Sequence, residues 1–545
     1  MPTLTSRVAR NALANYLGNA VTLTVSFFLL PYILGRLGDA QFGLWVVVAS
    51  VGGYFSLFEL GVGGSVVKTV AEHRERGDRE ELNALVSAGF VVFLGSGVAV
   101  VALTLAVAVW ADRFLDVAPA DFGSLRTLIL VVGLHAALAL PLRIFERVLA
   151  GYQRFDLVNV GKAALVLVGA GLTVLALEMG YGVVGLAAAQ AAAALVSYAL
   201  QAFLVRRVDP ELRFTARGVT RGRLTGIGEL SASLLLIGLA WQAIVTVDQL
   251  LVGYFLGLSS IAAYAVARKL RDLILTMVGP LGTVFFPLGA ALAVEPRSGR
   301  SFQAAAGGTR ICFAIALLTG VTLGVHAAPL IAAWVGPSYV AAAAPALRLL
   351  LVGAAASGAA WVAQEMLHAS GGHRLGAILL SVEAVGGALL AVVLLPTWGV
   401  TGVAAAMAAA SVLSAVAAIG CFVRYYLRHS VAAFARQALL PPVAVAAATL
   451  AGTGLLARAL PPAGVGWLIA HLGASALLFA CLYLALAASA AERASAREAW
   501  RALRTWTRRC GRGDAATVAA PADGAAGDGI GEKTGGRLGD ERADG

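Results

Sequence analysis

The chain has 545 residues, of which 59% are hydrophobic and only 13% charged, with a mean hydropathy of +0.83 and a formal net charge of +11. So thin a polar coat cannot enclose that much apolar side chain in water; a soluble globular protein is excluded and the bilayer is the solvent. The positive charge is what basic cytoplasmic loops supply, so it is not read as a nucleic-acid footprint and no nucleic acid is expected as a partner.

A span needs about 20 mostly apolar residues. In chain order that measure predicts fourteen transmembrane helices, near 11–34, 42–66, 84–110, 125–145, 158–178, 182–205, 228–256, 260–293, 309–334, 344–366, 375–395, 399–422, 438–459 and 465–489. The first run, preceded by Arg7 and Arg10, is too long for a signal peptide and lacks a small-residue cleavage site, so it reads as a retained helix. Pro280 and Pro287 are placed to bend the eighth. After Ala490, Arg493, Arg497, Arg501, Arg504 and Arg508 recur at helical spacing beside Trp500, Leu503 and Trp506. That pattern suits a basic amphipathic helix on the inner leaflet, with membrane lipids as its partner, or a solvated juxtamembrane helix. The Ala, Gly and Asp-rich tail beyond Gly513 has no apolar periodicity and is expected to be disordered.

Cations sort onto alternate loops. Lys68, Arg74, Arg76 and Arg79 fall in the second loop, and Arg206, Arg207, Arg213, Arg217, Arg221 and Arg223 in the sixth; the opposite loops and their edges carry Arg36, Arg113, Arg126, Arg348 and Arg458. By the positive-inside rule both termini are cytoplasmic. Tyr181-Gly182-Val183-Val184-Gly185-Leu186 returns 217 positions later as Trp398-Gly399-Val400-Thr401-Gly402-Val403, each opening an alanine-rich helix. A drift of one or two residues also sets Gly38 beside Gly257. Each repeat holds six helices, an even number, so the halves share one orientation about an axis along the membrane normal. The expected architecture is an all-α polytopic membrane protein: a first six-helix bundle at 1–206, a second at 224–425, two additional transmembrane helices at 436–490, and a cytoplasmic basic helix and tail at 491–545.

No loop is long enough for a catalytic or nucleotide-binding domain, and no glycine loop followed by Lys-Ser/Thr is present, so an enzyme is not expected. Cys312, Cys421, Cys481 and Cys510 lack motif spacing, so neither a disulfide framework nor a metal or cofactor site follows. The informative residues are the ionisable ones inside spans, which are costly and usually face a cavity. Arg268, Lys269, Arg271 and Asp272 cluster in the eighth helix, with Tyr264, Arg268 and Arg271 on one face. Asp248 lies on the seventh at a matching depth below the short turn and is expected to pair with Lys269. The cluster reads either as an anion-binding surface (Tyr264, Arg268, Lys269, Arg271) with Asp248 as its counter-ion, or as a structural pair holding the hairpin. Glu59, His135 and Glu383 join Asp248 as candidates for coupling ion movement, each also readable as a satisfied interhelical hydrogen bond. Gln190, Gln242 and Gln364 read as interhelical glue. Arg143, Glu146 and Arg147 read as a solvated inner rim.

Asn15-Tyr16-Leu17-Gly18, Pro31-Tyr32-Ile33-Leu34-Gly35-Arg36-Leu37-Gly38, Phe42-Gly43-Leu44-Trp45, Leu57-Phe58-Glu59-Leu60-Gly61 and Val148-Leu149-Ala150-Gly151-Tyr152-Gln153-Arg154 together resemble the polysaccharide-flippase (Wzx-type) branch of the MATE/MOP transporter superfamily. Asp248, Leu251-Val252-Gly253, Gly257, Ala263-Tyr264 and Ala267-Arg268-Lys269-Leu270 resemble the start of that family's second half. The likeness covers roughly residues 8 to 425. It implies two bundles around a central cavity, alternating access, and transport of a polyprenyl-diphosphate-linked oligosaccharide across the bacterial inner membrane for surface polysaccharide (O-antigen, capsule or exopolysaccharide) biosynthesis. A polysaccharide polymerase and chain-length machinery are the protein partners it implies. The same superfamily contains cation-coupled multidrug exporters and lipid II flippases; Thr5-Ser6-Arg7-Val8-Ala9 departs from the flippases' amino-terminal signature at its glycine, and a cationic lining is unfavourable for cationic drugs.

Overall fold

The computed structural model describes residues 4–59, 62–110, 122–215, 220, 231–286, 288–289, 299–461, 464–490, 492–494, 497–498 and 500–501. Among these no strand occurs. The helices of eight or more residues are α1 Leu4–Tyr54, α2 Val62–Arg76, α3 Arg79–Trp110, α4 Phe122–Leu142, α5 Ile144–Gly151, α6 Phe155–Glu178, α7 Gly182–Val208, α8 Ser231–Leu256, α9 Leu258–Gly282, α10 Gly299–Val325, α11 Ala327–Trp334, α12 Val340–Ala369, α13 His373–Cys421, α14 Leu440–Ala459 and α15 Val465–Leu482.

Eleven segments among the described residues are long and apolar enough to cross a membrane. Two of them are double: α1 is broken at Gly38 and α13 at Gly399, where the backbone leaves helical geometry. The charges at Arg268, Lys269, Arg271 and Asp272 set α9 apart from that group. Counting α9 and both limbs of each doubled helix, the described residues offer fourteen candidate crossings.

The repeat is visible in the backbone. Gly182 and Gly399 have φ of 56° and 54°, and Gly38 and Gly257 have φ of 71° and 84°. Residues with a Cβ rarely adopt that left-handed region, so glycine is what lets each half reverse direction at the corresponding point.

Several boundaries differ from the sequence reading. In the eighth span, α9 ends at Gly282, two residues past Pro280, and passes into a short 3-10 turn at Thr283–Phe285. A proline removes a helical N–H and crowds the preceding turn, so regular α-helix is interrupted there, and helix resumes at residues 286 and 288–289, as a bent span requires. The ninth span starts at Gly299, ten residues early, and divides at His326. The second span ends at Tyr54, followed by a 3-10 turn through Glu59.

The described residues through Ala487 form one compact unit. Its largest buried cluster runs through α9, α10, α12 and α13 and takes in Ile33, Leu34, Phe42 and Val47 of α1. After α7 the chain is clipped down: Asp209 accepts from Arg79 at 2.7 Å and from the Tyr152 hydroxyl, while the Arg213 and Thr215 amides donate to Asn83 and Ser87. Burial, then the hydrogen bond to Asp209, pushes the Tyr152 phenol up to about 12.

The second unit begins at Ala488. Ser489 and Glu492 cap its helix reciprocally, each backbone N–H bonded by the other's side chain. Arg493, Arg497, Trp500 and Arg501 are exposed; Leu503, Arg504, Trp506, Arg508 and the tail lie outside the described residues, as do Arg217, Arg221 and Arg223.

Candidate functional site

α8 and α9 form a hairpin that turns at Gly257. Asp248 and Arg268 lie 9 and 11 residues from the turn, which at 1.5 Å per residue sets both about 15 Å along their helices. The Asp248 carboxylate is 1% exposed and Arg268 5%. Arg268 Nη1 donates to both carboxylate oxygens, at 2.6 and 2.8 Å, and the fully buried Tyr264 hydroxyl donates to Oδ2 at 2.9 Å. With the Gln249 amide oxygen turned to the guanidinium, it accepts from Arg268 Nη1 and Nε at 3.1 and 2.9 Å.

The expected Asp248–Lys269 pair is therefore corrected to Asp248–Arg268. Adjacent residues on a helix differ by only 1.5 Å in depth but by 100° in direction. The face carrying Tyr264, Arg268 and Arg271 turns toward Asp248, and Lys269 is carried round from it, only partly buried. In this conformation Tyr264 and Arg268 are occupied in holding Asp248.

Beside the pair lies a cavity of about 20 Å³, lined by Asp248, Arg271, Glu383 and Ser411 with Ile244 and Met407. It is large enough for one water or a small cation. Glu383, 9% exposed, accepts from Ser411 Oγ at 2.7 Å. Arg271 Nε is 3.2 Å from Asp272 Oδ1 but lacks hydrogen-bond geometry to any described group. Two carboxylates and two guanidiniums thus meet here, drawn from α8, α9 and α13. The sequence reading grouped Asp248, Arg268 and Arg271 and named Glu383 apart from them; it missed Gln249 and Ser411, neutral polar residues that carry no signal until a buried charge is known beside them.

A second cluster sits in the first half. Glu59, 8% exposed, accepts from Arg143 Nη1 and from Arg147, whose Nε lies at 2.8 Å. The pair of arginines expected as a solvated rim is instead partly buried on this carboxylate, because the turn after α1 carries Glu59 against the α4–α5 junction. Its lone pairs are committed to two guanidiniums, so it is a structural anchor in this state. His135 lines a cavity of about 310 Å³ together with Arg143, Gln190 and Trp45, and its Nε2 is buried without a described partner. Gln190 donates to Thr173 at 3.1 Å, joining α7 to α6 as an interhelical hydrogen bond. His135 and Glu59 are not brought into the Asp248 cluster.

The polysaccharide biosynthesis protein family matches residues 8–292. A putative O-antigen transporter of Shigella flexneri is 20% identical over 156 residues, 29% of this chain and 37% of that protein. The uncharacterized membrane protein EpsK of Bacillus subtilis is 22% identical over 343 residues, 60% of this chain and 65% of that protein. The chain thus spans less than two thirds of the length of either relative. Among solved structures, the lipid II flippase MurJ in an inward closed conformation has a TM-score of 0.66 at 12% identity, covering 87% of this chain and 98% of that one. A mutant of the Vibrio cholerae MATE transporter VcmN has a TM-score of 0.59 at 14% identity, covering 78% and 99%. At such identities these likenesses establish the fold alone, the one these two transporters share with this chain.

Proposed function

The chain belongs to the polysaccharide biosynthesis protein family, and from that premise we propose that it flips a polyprenyl-diphosphate-linked oligosaccharide across the bacterial inner membrane. The two bodies that move are the halves 1–206 and 224–425, rocking about a cargo held between them. The observation that carries this reading is the Asp248–Arg268 pair, buried beside a cavity shared with Arg271 and Glu383. A proton or a sodium ion taken up by Asp248 or Glu383 weakens the pair and frees the Arg268 guanidinium. Arg268 and Arg271 then face one way, three residues apart, and arginine's planar fork suits bidentate contact with phosphate oxygens. Cargo and cation are coupled because the diphosphate replaces the carboxylate as Arg268's partner. A polysaccharide polymerase and its chain-length machinery are the proposed recipients of the flipped product.

Recognition is tested by ligand-induced stabilisation. A polyprenyl diphosphate should raise the melting temperature of the parent more than the monophosphate does; ligand at a hundredfold its Kd contributes about 2.7 kcal/mol. Arg271→Lys keeps the charge and should retain part of that preference, whereas Arg271→Ala should lose it. Equal shifts for both lipids in all three proteins would remove Arg271 from the cargo site.

Orientation has its own test. Both termini are proposed to be cytoplasmic, from the cation sorting. Reporters fused after Asp514 and within 116–121 should report opposite sides of the membrane. A carboxy-terminal reporter active outside the cytoplasm would overturn the topology.

A further inference from the structure

Pro31 lies inside the first limb of α1. Having no N–H, it cannot bond the carbonyl four residues earlier, which belongs to Phe27. In a membrane span such a freed carbonyl is re-satisfied by a neighbouring helix, a side chain, an ordered water or a local adjustment of the helix. The structure fills the gap from the other half of the chain: Trp334 Nε1 donates to the Phe27 carbonyl at 2.9 Å across 307 residues. The Trp334 indole also stacks on the Phe27 ring, with centroids 4.5 Å apart and planes within 10°. Five residues on, after Gly336 (φ 112°) and Pro337, the Tyr339 hydroxyl donates to Asp39, just beyond the α1 break at Gly38. One short turn thus grips α1 on both sides of its break.

We infer that Trp334 is a positioning residue for transport, a latch that holds the two halves together at the Gly38 end by satisfying the carbonyl that Pro31 frees. The inference rests on the two-body reading above. When the halves part at this end, the indole leaves, and α1 has no N–H of its own to offer Phe27. The opened state therefore lacks the protein donor that the closed state gives this carbonyl, and the pairing of Pro31 with Trp334 biases the protein toward closure by the worth of one net hydrogen bond.

The test uses full-length protein in lipid nanodiscs, with native cysteines replaced and spin labels at Met179→Cys and Thr397→Cys. These positions are exposed, lie just before the corresponding glycines Gly182 and Gly399 of the two halves, and are outside the latch. The distance distribution reports the open-to-closed ratio at the Gly38 end. Trp334→Phe, which keeps a ring but loses the donor, should raise that ratio roughly three- to tenfold, the worth of one net hydrogen bond. Benzothienylalanine at 334 keeps the bicyclic shape and removes only the N–H, so it should give the same shift. In a Pro31→Ala background the helix supplies its own donor, and the Trp334→Phe effect should fall below about twofold. An unchanged ratio with benzothienylalanine, or an equal Trp334→Phe shift in both backgrounds, overturns the latch and leaves only ring packing. A single unvarying distance in every variant, with and without added lipid diphosphate, overturns the two-body reading and the latch together.

Discussion

Asp248→Asn should destabilise the folded protein by about 3–5 kcal/mol, the cost of leaving a buried charge without its partner. Arg268 is 5% exposed, and both carboxylate oxygens accept from its Nη1. Asparagine keeps the shape and one acceptor but removes the counter-charge, so the buried guanidinium is left without its partner. Adding Arg268→Gln removes the stranded cation and should restore part of the loss, because two neutral amides at this spacing can bond each other. Thermal or denaturant unfolding of the four proteins in matched detergent gives the coupling energy directly. Strict additivity would show that the pair is not interacting. The same cycle built on Lys269 should be additive.

Gly43→Ala should be the most damaging glycine substitution in α1. A Cβ at Gly43 would stand 2.0 Å from the Leu258 carbonyl oxygen, a backbone atom that cannot rotate aside. To admit it, the second limb of α1 must lift off the α8–α9 turn, the place where the two halves meet at the Gly38 end. Overpacking of this kind costs about 1–3 kcal/mol where neighbours can yield, and a fixed carbonyl yields less than a side chain. Gly35→Ala is the control. No atom lies within 4 Å of its would-be Cβ, and alanine's helix propensity should make it neutral or stabilising by up to about 1 kcal/mol. Matched melting temperatures for the two variants would contradict the close approach.

Much of the fold was legible because hydropathy and charge act over whole segments. Fourteen spans follow from apolar run length, and the repeat from glycine spacing that proves to be shared backbone geometry at Gly182 and Gly399. What composition cannot resolve is direction around a helix. Counting residues from Gly257 put Asp248 at the correct depth, yet assigned it Lys269 in place of the neighbouring Arg268. Breaks inside apolar runs were averaged away: only the single His326 and Pro329 mark the division of α10 from α11, inside a run otherwise apolar enough to read as one span. The site's convergence is a tertiary fact, since Asp248 and Glu383 are 135 positions apart and only packing of α8 on α13 brings them to one cavity. Pro31 advertises a freed carbonyl at Phe27, but its distant donor is invisible until the chain is folded.

Flipping by this chain is measured by translocation of a fluorescent polyprenyl-diphosphate oligosaccharide in vesicles containing the purified protein, quenched by a membrane-impermeant reagent added outside. The parent should expose both leaflet pools to the reagent over time, at a rate that depends on an imposed proton or sodium gradient. The Asp248→Asn/Arg268→Gln double variant, at matched protein level, should lose that gradient dependence. Quenching confined to the outer-leaflet pool, with the parent indistinguishable from protein-free vesicles under either gradient, would contradict the claim that this chain moves lipid-linked oligosaccharide.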